Sequence, residues 1–297
     1  MNKGLWYAIA AYVWWGFFPI YWKLLKHVPA IQLIGHRIVW SFASLIIVIL
    51  IIGQWKEFRN SVYNLKVLRL YLLAAILIGV NWFMYVWAVN AGHIVETSLG
   101  YYINPLLSVF MGVIFFRERL NLWQWIPIGM AAIGVIYLTI SMGALPWIAL
   151  ILAFSFASYG LVKKVAPLSS LYGLTLETFI LFLPAAFFLL YSEQTGSGAF
   201  THYGMLSDLM IAGAGVITTI PLLLFASAAK RIPLSLVGIL QYISPTLQFL
   251  IGVLFYKEPF SFEQFLGYLL VWIALIIFGF SSFSSYREKT ITAAEME

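Results

Sequence analysis

The chain has 297 residues, no cysteine and a formal net charge of +6, and 63% of it is hydrophobic while only 9% is charged. An ordinary soluble domain carries about 25% charged residues, so a soluble fold of this length could not hide so much apolar surface, and the solvent must be lipid. The missing cysteine excludes disulfides, thiol catalysis and thiolate metal sites. The positive charge is scattered among short loops, which excludes a nucleic-acid-binding stripe.

A bilayer core takes about 20 apolar residues per helix, and ten such runs can be read in chain order. The first, 4–23, follows a single Lys3 and is long enough to span, so it reads as a retained helix rather than a removed signal peptide. The second, 32–53, carries His36 and Arg37 a few residues in. The third, 69–89, holds Asn81 beside Trp82, and the fourth, 95–116, opens on Glu96 and contains Tyr102, Asn104 and Pro105. The fifth is 122–141, and the sixth, 146–163, ends at Lys163 and Lys164. The seventh, 170–191, contains Glu177, and the eighth, 208–228, has a small-residue surface at Ala212, Gly213, Ala214 and Gly215. The ninth, 234–256, contains Gln241, Tyr242, Ser244 and Pro245, and the tenth is 263–283. Residues 284–297 are too polar to span and read as a tail. These runs are continuous rather than short and alternating, so helices are expected and not a β-barrel.

Basic residues set the orientation. With the N-terminus cytoplasmic, the inner segments hold thirteen of them: Lys3, Lys56, Arg59, Lys66, Arg69, Arg117, Arg119, Lys163, Lys164, Lys230, Arg231, Arg287 and Lys289. The outer segments hold four, Lys23, Lys26, Arg37 and Lys257. Both termini are therefore expected inside, and the Lys163–Lys164 and Lys230–Arg231 pairs read first as topology determinants.

"YYINPLLSVFMGVIFFRE" (101–118) returns 140 residues later as "QYISPTLQFLIGVLFYKE" (241–258). Spans three to five correspond to spans eight to ten at this offset, so the repeated unit has five helices. Five is odd, and the second copy must enter the membrane from the opposite side. The expected fold is an all-α membrane protein of ten transmembrane helices in two inverted repeats, 4–141 and 146–283. Inverted repeats are typical of secondary transporters, with the binding site at the repeat interface near the midplane.

Several stretches are recognisable: "AAYVWWGFFPIYWKLL" (10–25), "HRIVWS" (36–41), "IGVNWFMYVWAVN" (78–90), "ETSLGYYINPL" (96–106), "FSFASYGLVKK" (154–164), "LET" (176–178) and "QYISPTLQFL" (241–250). Together they resemble the drug/metabolite transporter superfamily with its paired EamA domains, and in detail its RarD, or chloramphenicol-sensitive, permease branch. The resemblance covers nearly the whole chain. It implies a permease of a bacterial inner membrane, with export favoured by analogy.

Ionisable groups at bilayer depth are expensive and mark functional candidates. Arg37 or His36 maps onto Glu177 under the repeat offset, so either is expected to face Glu177 across a central cavity, as a gate or as a proton-sensitive carboxylate. Glu177 and Glu96 are the candidates for proton coupling, although Glu96 also fits a helix cap. Matched prolines, Pro105 and Pro245, should kink equivalent helices. Tyr102, Asn104, Gln241, Tyr242 and Ser244 beside them, with Asn81 and Trp82, are expected to line the pathway. Trp14 and Trp15 lie too deep for an interfacial belt and could stack on a substrate or simply pack.

No GxxxxGK[ST], HExxH or Gly-x-Ser-x-Gly occurs, so no ATP cassette, metal site, cofactor or enzyme activity is expected. The expected partners are a small-molecule solute, membrane lipid and a coupling proton. A lipid-translocating or accessory membrane protein is the alternative reading.

Overall fold

The computed structural model describes residues 3–91, 93–141 and 146–257, with single positions 266, 269, 272, 273 and 277. The expected tenth span and the tail lie almost wholly outside them. The helices are α1 (Lys3–Gly16), α2 (Phe18–Leu24), α3 (Ala30–Ile51), α4 (Trp55–Val62), α5 (Leu65–Asn90) and α6 (Ile94–Phe116). They continue as α7 (Leu122–Ser141), α8 (Trp147–Val165), α9 (Ser170–Gln194), α10 (Met205–Ala229), α11 (Leu234–Leu240) and α12 (Ile243–Leu250). A π-helical stretch, Ile251–Phe255, continues α12. No strand occurs among the described residues.

Seven segments among the described residues are long and apolar enough to cross a membrane: α3, α5, α6, α8, α9, α10, and α11 to Phe255 taken together. Leu73, Ile76, Phe83, Ile133, Leu183 and Phe187 are exposed on the outside of the bundle. Lipid is the solvent that makes such a surface stable. The short α4 was not anticipated. It is amphipathic, and it anchors to the bundle through buried Phe58, whose ring meets Tyr172 of α9 at 5.6 Å.

Two expected spans are broken, and proline explains both. A helix-interior proline lacks the N–H that would bond the carbonyl four residues earlier. The first span breaks at Phe17 because Pro19 frees the Trp15 carbonyl, which instead accepts from the Gln248 side-chain amide at 3.1 Å. The ninth span breaks at Gln241–Tyr242, where Pro245 frees the Gln241 carbonyl and Ser244 N–H takes it in a tighter turn at 3.1 Å. In α10, Pro221 frees the Ile217 carbonyl, and the Trp14 indole N–H donates to it at 3.0 Å. Pro105, by contrast, lies inside a continuous α6. The two matched prolines therefore do not act alike: one interrupts its helix and the other does not.

Contacts fix the helix directions. Tyr12 and Trp15 meet Ser244 and Gln248, so α1 is parallel to α12. Trp14 of α1 and Tyr21 of α2 meet Ile217 and Met210, so α1 and its continuation α2 run antiparallel to α10. Gly112, Gly238 and Tyr242 place α6 antiparallel to α11. His27–Ser207 and Ser41–Gly215 make α3 and α10 parallel. Gly35 against Leu189, with Phe42 against Phe179, makes α3 and α9 antiparallel. Gly173 against Tyr71 and Gly79 against Leu181 make α5 and α9 parallel. Asn81 with Leu152, and Ala88 packed with Ile148, make α5 and α8 antiparallel. Thus α1, α5, α9 and α11–α12 run one way, while α3, α6, α8 and α10 run the other.

The α3–α10 crossing is close. A Cβ on Gly215 would lie 2.3 Å from the Trp40 carbonyl carbon and 2.5 Å from the Ser41 nitrogen. Small residues let helix backbones approach in lipid, and here only glycine fits.

Candidate functional site

A cavity of about 340 Å³ opens in the middle of the bundle. Its walls come from both halves of the chain: α1, α2, α3, α5 and α6 from the first, and α8, α10 and the α11–α12 break from the second. It lies between mid-depth and the end at which α3, α6, α8 and α10 begin.

The polar chemistry of the wall comes from few residues. Arg37 lies between two indoles, its guanidinium carbon 4.8 Å from the Trp22 ring and 4.9 Å from the Trp82 ring. Its Nε donates to Thr218 Oγ1 at 2.9 Å. The Asn81 amide spends both N–H groups on α8, donating to the Leu152 carbonyl (2.8 Å) and to Ser155 Oγ (3.0 Å). Asn104 accepts from Ser108 Oγ at 3.4 Å. Ser244 donates to the Tyr12 carbonyl at 2.7 Å. Gln241 sits at the helix break and lines the same space. Tyr12, Trp15, Phe156, Tyr85 and Leu222 supply the apolar wall.

Arg37, Asn81, Trp82, Asn104, Gln241, Ser244 and Pro245, all singled out in the sequence, lie on this cavity. Others do not. Tyr102 and Tyr242 are buried against each other, with the Tyr242 hydroxyl donating to the Tyr102 carbonyl at 3.0 Å. Pro105 lies beside them, its carbonyl against Gly238. His36 packs on Phe200 at 5.4 Å, outside the cavity. Trp14 faces out from the bundle. The side chain of Glu96 lies outside the described residues.

The expected pairing of Glu177 with Arg37 or His36 is not what the structure holds. Glu177 is buried at the opposite end, where it accepts from Lys163 Nζ at 2.6 Å and from the Tyr159 hydroxyl at 2.9 Å. Lys163, expected as a topology charge, is 1% exposed. The partner comes from the preceding helix, 14 residues back, rather than from across the repeat.

That end of the bundle is closed by a set of such contacts. The Glu118 carboxylate caps α11, accepting from Leu234 N–H (2.7 Å), Ser235 N–H (2.9 Å) and Ser235 Oγ (2.6 Å). Lys164 lies 3.6 Å from Glu118 and donates to the Ile232 carbonyl at 2.7 Å. Lys230 donates to the Leu168 carbonyl. Burial, then the like charges of Lys163 and Arg231, push the Lys230 ammonium below its ordinary pKa, while Glu177 opposes them.

Sequence reading missed Trp22, Thr218 and Gln248 as cavity residues. Trp22 and Thr218 have no signal beyond their residue type. Gln248 could have been found, because it is an amide one turn after Pro245 in an otherwise apolar run.

The chain matches the EamA-like transporter family twice, over residues 2–140 and 145–280. It is 47% identical over 284 residues to the uncharacterized transporter YojE of Bacillus subtilis, covering 94% of each chain. It is 39% identical over 289 residues to protein RarD of Escherichia coli, covering 97% of this chain and 98% of that one. A chloramphenicol-sensitive protein RarD of Pseudomonas aeruginosa is 30% identical, with 97% of each chain covered. A protein of known crystal structure superposes with a TM-score of 0.69 at 18% identity, over 93% of this chain and 97% of that one. That last likeness bears on the fold alone.

Proposed function

The chain belongs to the EamA-like transporter family, and from that premise we propose that it is a secondary transporter carrying a small-molecule solute across the bacterial inner membrane by alternating access. The observation that carries this reading is the central cavity, walled by both halves of the chain, with the Glu118, Lys164 and Lys163–Glu177 contacts clustered beyond it at one end of the bundle. A permeation path needs such a compartment, and it must be open to only one side at a time.

The ten-helix inverted repeat is part of the proposal. Its support is directional: α1 and α8, which begin the two halves, run opposite ways, as do α3 and α9, α5 and α10, and α6 and α11. The positive-inside rule places the closed end, with Lys163, Lys164, Lys230 and Arg231, at the cytoplasm. The cavity then belongs to the outer half of the membrane, and this state has its inner gate shut. Movement of one five-helix unit against the other would release the Glu118 cap and the Lys164 contact and open the cytoplasmic side. A proton gradient is the proposed driving force, with Glu177 at the inner gate as its site.

The natural chain has no cysteine, so a single introduced one reports without background. Thr218→Cys in the cavity and Ser227→Cys at the closed end would be labelled with a membrane-impermeant maleimide in right-side-out and inverted vesicles. Alternating access requires that solute or a pH gradient shift Thr218→Cys labelling from one side to the other. Labelling from one side under every condition would defeat the mechanism.

A further inference from the structure

We propose that the solute bound in this cavity is an organic anion, a carboxylate on a flat apolar body without an ammonium group, and that its carboxylate seats on Arg37. The inference rests on the transporter reading of the same cavity.

Arg37 is the one formally charged side chain on the cavity wall among the described residues. Its surroundings are built to hold it still. Trp22 and Trp82 flank the guanidinium, and Thr218 takes the Nε proton. A guanidinium has five N–H donors, and four of these, on Nη1 and Nη2, have no protein partner among the described residues. An arginine in low dielectric without a counter-charge is costly. Two aromatic faces return part of that cost, yet neither supplies an acceptor for the Nη protons. A carboxylate would, because two parallel N–H groups match its two oxygens.

The rest of the wall selects the body and the overall charge. Trp15, Trp82, Tyr85 and Phe156 offer flat apolar faces, and Gln241 adds an amide with no side-chain hydrogen bond among the described residues. The volume lies at the small end of ligand pockets. No Asp or Glu lines the cavity among the described residues. An ammonium group would be desolvated there beside Arg37, with no carboxylate to receive it. A zwitterion is therefore the wrong charge pattern, and a monoanion is the right one.

Three probes differ by one group each: hydrocinnamate, its neutral amide, and phenylalanine, which adds an ammonium to hydrocinnamate. Their binding to the purified full chain in nanodiscs of zwitterionic lipid would be read by calorimetry at neutral pH. Hydrocinnamate is expected to bind at least roughly tenfold tighter than either relative, the size of one charge-assisted hydrogen-bond pair. Arg37→Gln should bring acid and amide within about twofold of each other. Thr218→Val, which keeps the charge but frees its geometry, should lose part of the preference. Equal binding of acid and amide by the natural chain, tightest binding of phenylalanine, or no binding of hydrocinnamate would each overturn the proposal, whether or not the variants fold. Flux is read separately, by uptake into proteoliposomes. Acid-selective binding without flux keeps the anion site and defeats the transporter reading. Flux of other solutes without acid binding does the reverse.

Discussion

The Tyr242 hydroxyl donates to the Tyr102 carbonyl at 3.0 Å, and the two residues are 140 positions apart, the offset of the internal repeat. Two equivalent points related by a two-fold rotation can touch only near its axis. The contact therefore locates the proposed pseudo-two-fold axis between α6 and the α11–α12 break, next to the cavity and not in it.

Tyr242→Phe removes this bond while keeping the ring that packs in the same core. The expected cost is about 1 kcal/mol, a fall in Tm of roughly 2–4 °C, read by thermal unfolding in detergent. An unchanged Tm would mean that packing alone holds the axis.

The buried Lys163–Glu177 pair should behave non-additively. Removing one partner strands the other charge and costs about 3–5 kcal/mol, whereas replacing both with apolar residues costs far less. The comparison is Lys163→Met and Glu177→Leu, singly and together, by thermal unfolding. Additive losses would show that the two charges are not coupled.

If the coupling proton resides on Glu177, Glu177→Gln should still fold, at the cost of the lost ion pair, because its one amide oxygen can accept from Lys163 while its NH2 donates to the Tyr159 hydroxyl oxygen. It should carry solute downhill yet gain nothing from an imposed pH gradient. Flux into proteoliposomes with and without the gradient decides this, and a preserved acceleration removes Glu177 as the proton site.

Gly215→Ala should destabilise the α3–α10 crossing by about 1–3 kcal/mol through overpacking, because its Cβ meets backbone at 2.3 Å. Gly213→Ala is the control. Its Cβ meets only the Tyr21 hydroxyl, at 2.9 Å, and the end of a side chain can move. Equal losses at the two sites would contradict the close crossing.

Glu118→Ala leaves the first N–H groups of α11 without their cap, at a cost of about 0.5–2 kcal/mol. It also loosens the contact with Lys164. In the alternating-access reading this biases the protein toward the inward-open state, so labelling of Thr218→Cys from the cytoplasmic side should rise. No change would place the inner gate elsewhere.

The cavity residues that were legible in the sequence share one property. Arg37, Asn81, Asn104, Gln241 and Ser244 are polar groups in apolar runs, and lipid gives such groups few places to go. Tyr102 and Tyr242 are amphipathic, so their residue type did not say whether hydroxyl or ring would decide their place. Glu177 was assigned a partner by the symmetry of the repeat. The partner that won was the lysine of the adjacent helical hairpin, a choice that depends on the packing of α8 on α9 and that no offset encodes. The helix breaks at Phe17 and Gln241 were hidden for a different reason. Proline marks a weak point, but whether a helix bends or parts there depends on what receives the freed carbonyl.

The receiver at Trp15 is Gln248, synthesised 233 residues later. The Tyr12 carbonyl waits likewise for Ser244, and the Tyr12 hydroxyl for the Val237 carbonyl. A helix made early in synthesis is therefore among the last to be completed. Until the ninth span enters the bilayer, its break holds an open carbonyl that lipid cannot satisfy, and the nascent chain stays conformationally unfinished. A chain truncated before residue 237 leaves the α1 groups at Tyr12 and Trp15 with nothing to close on.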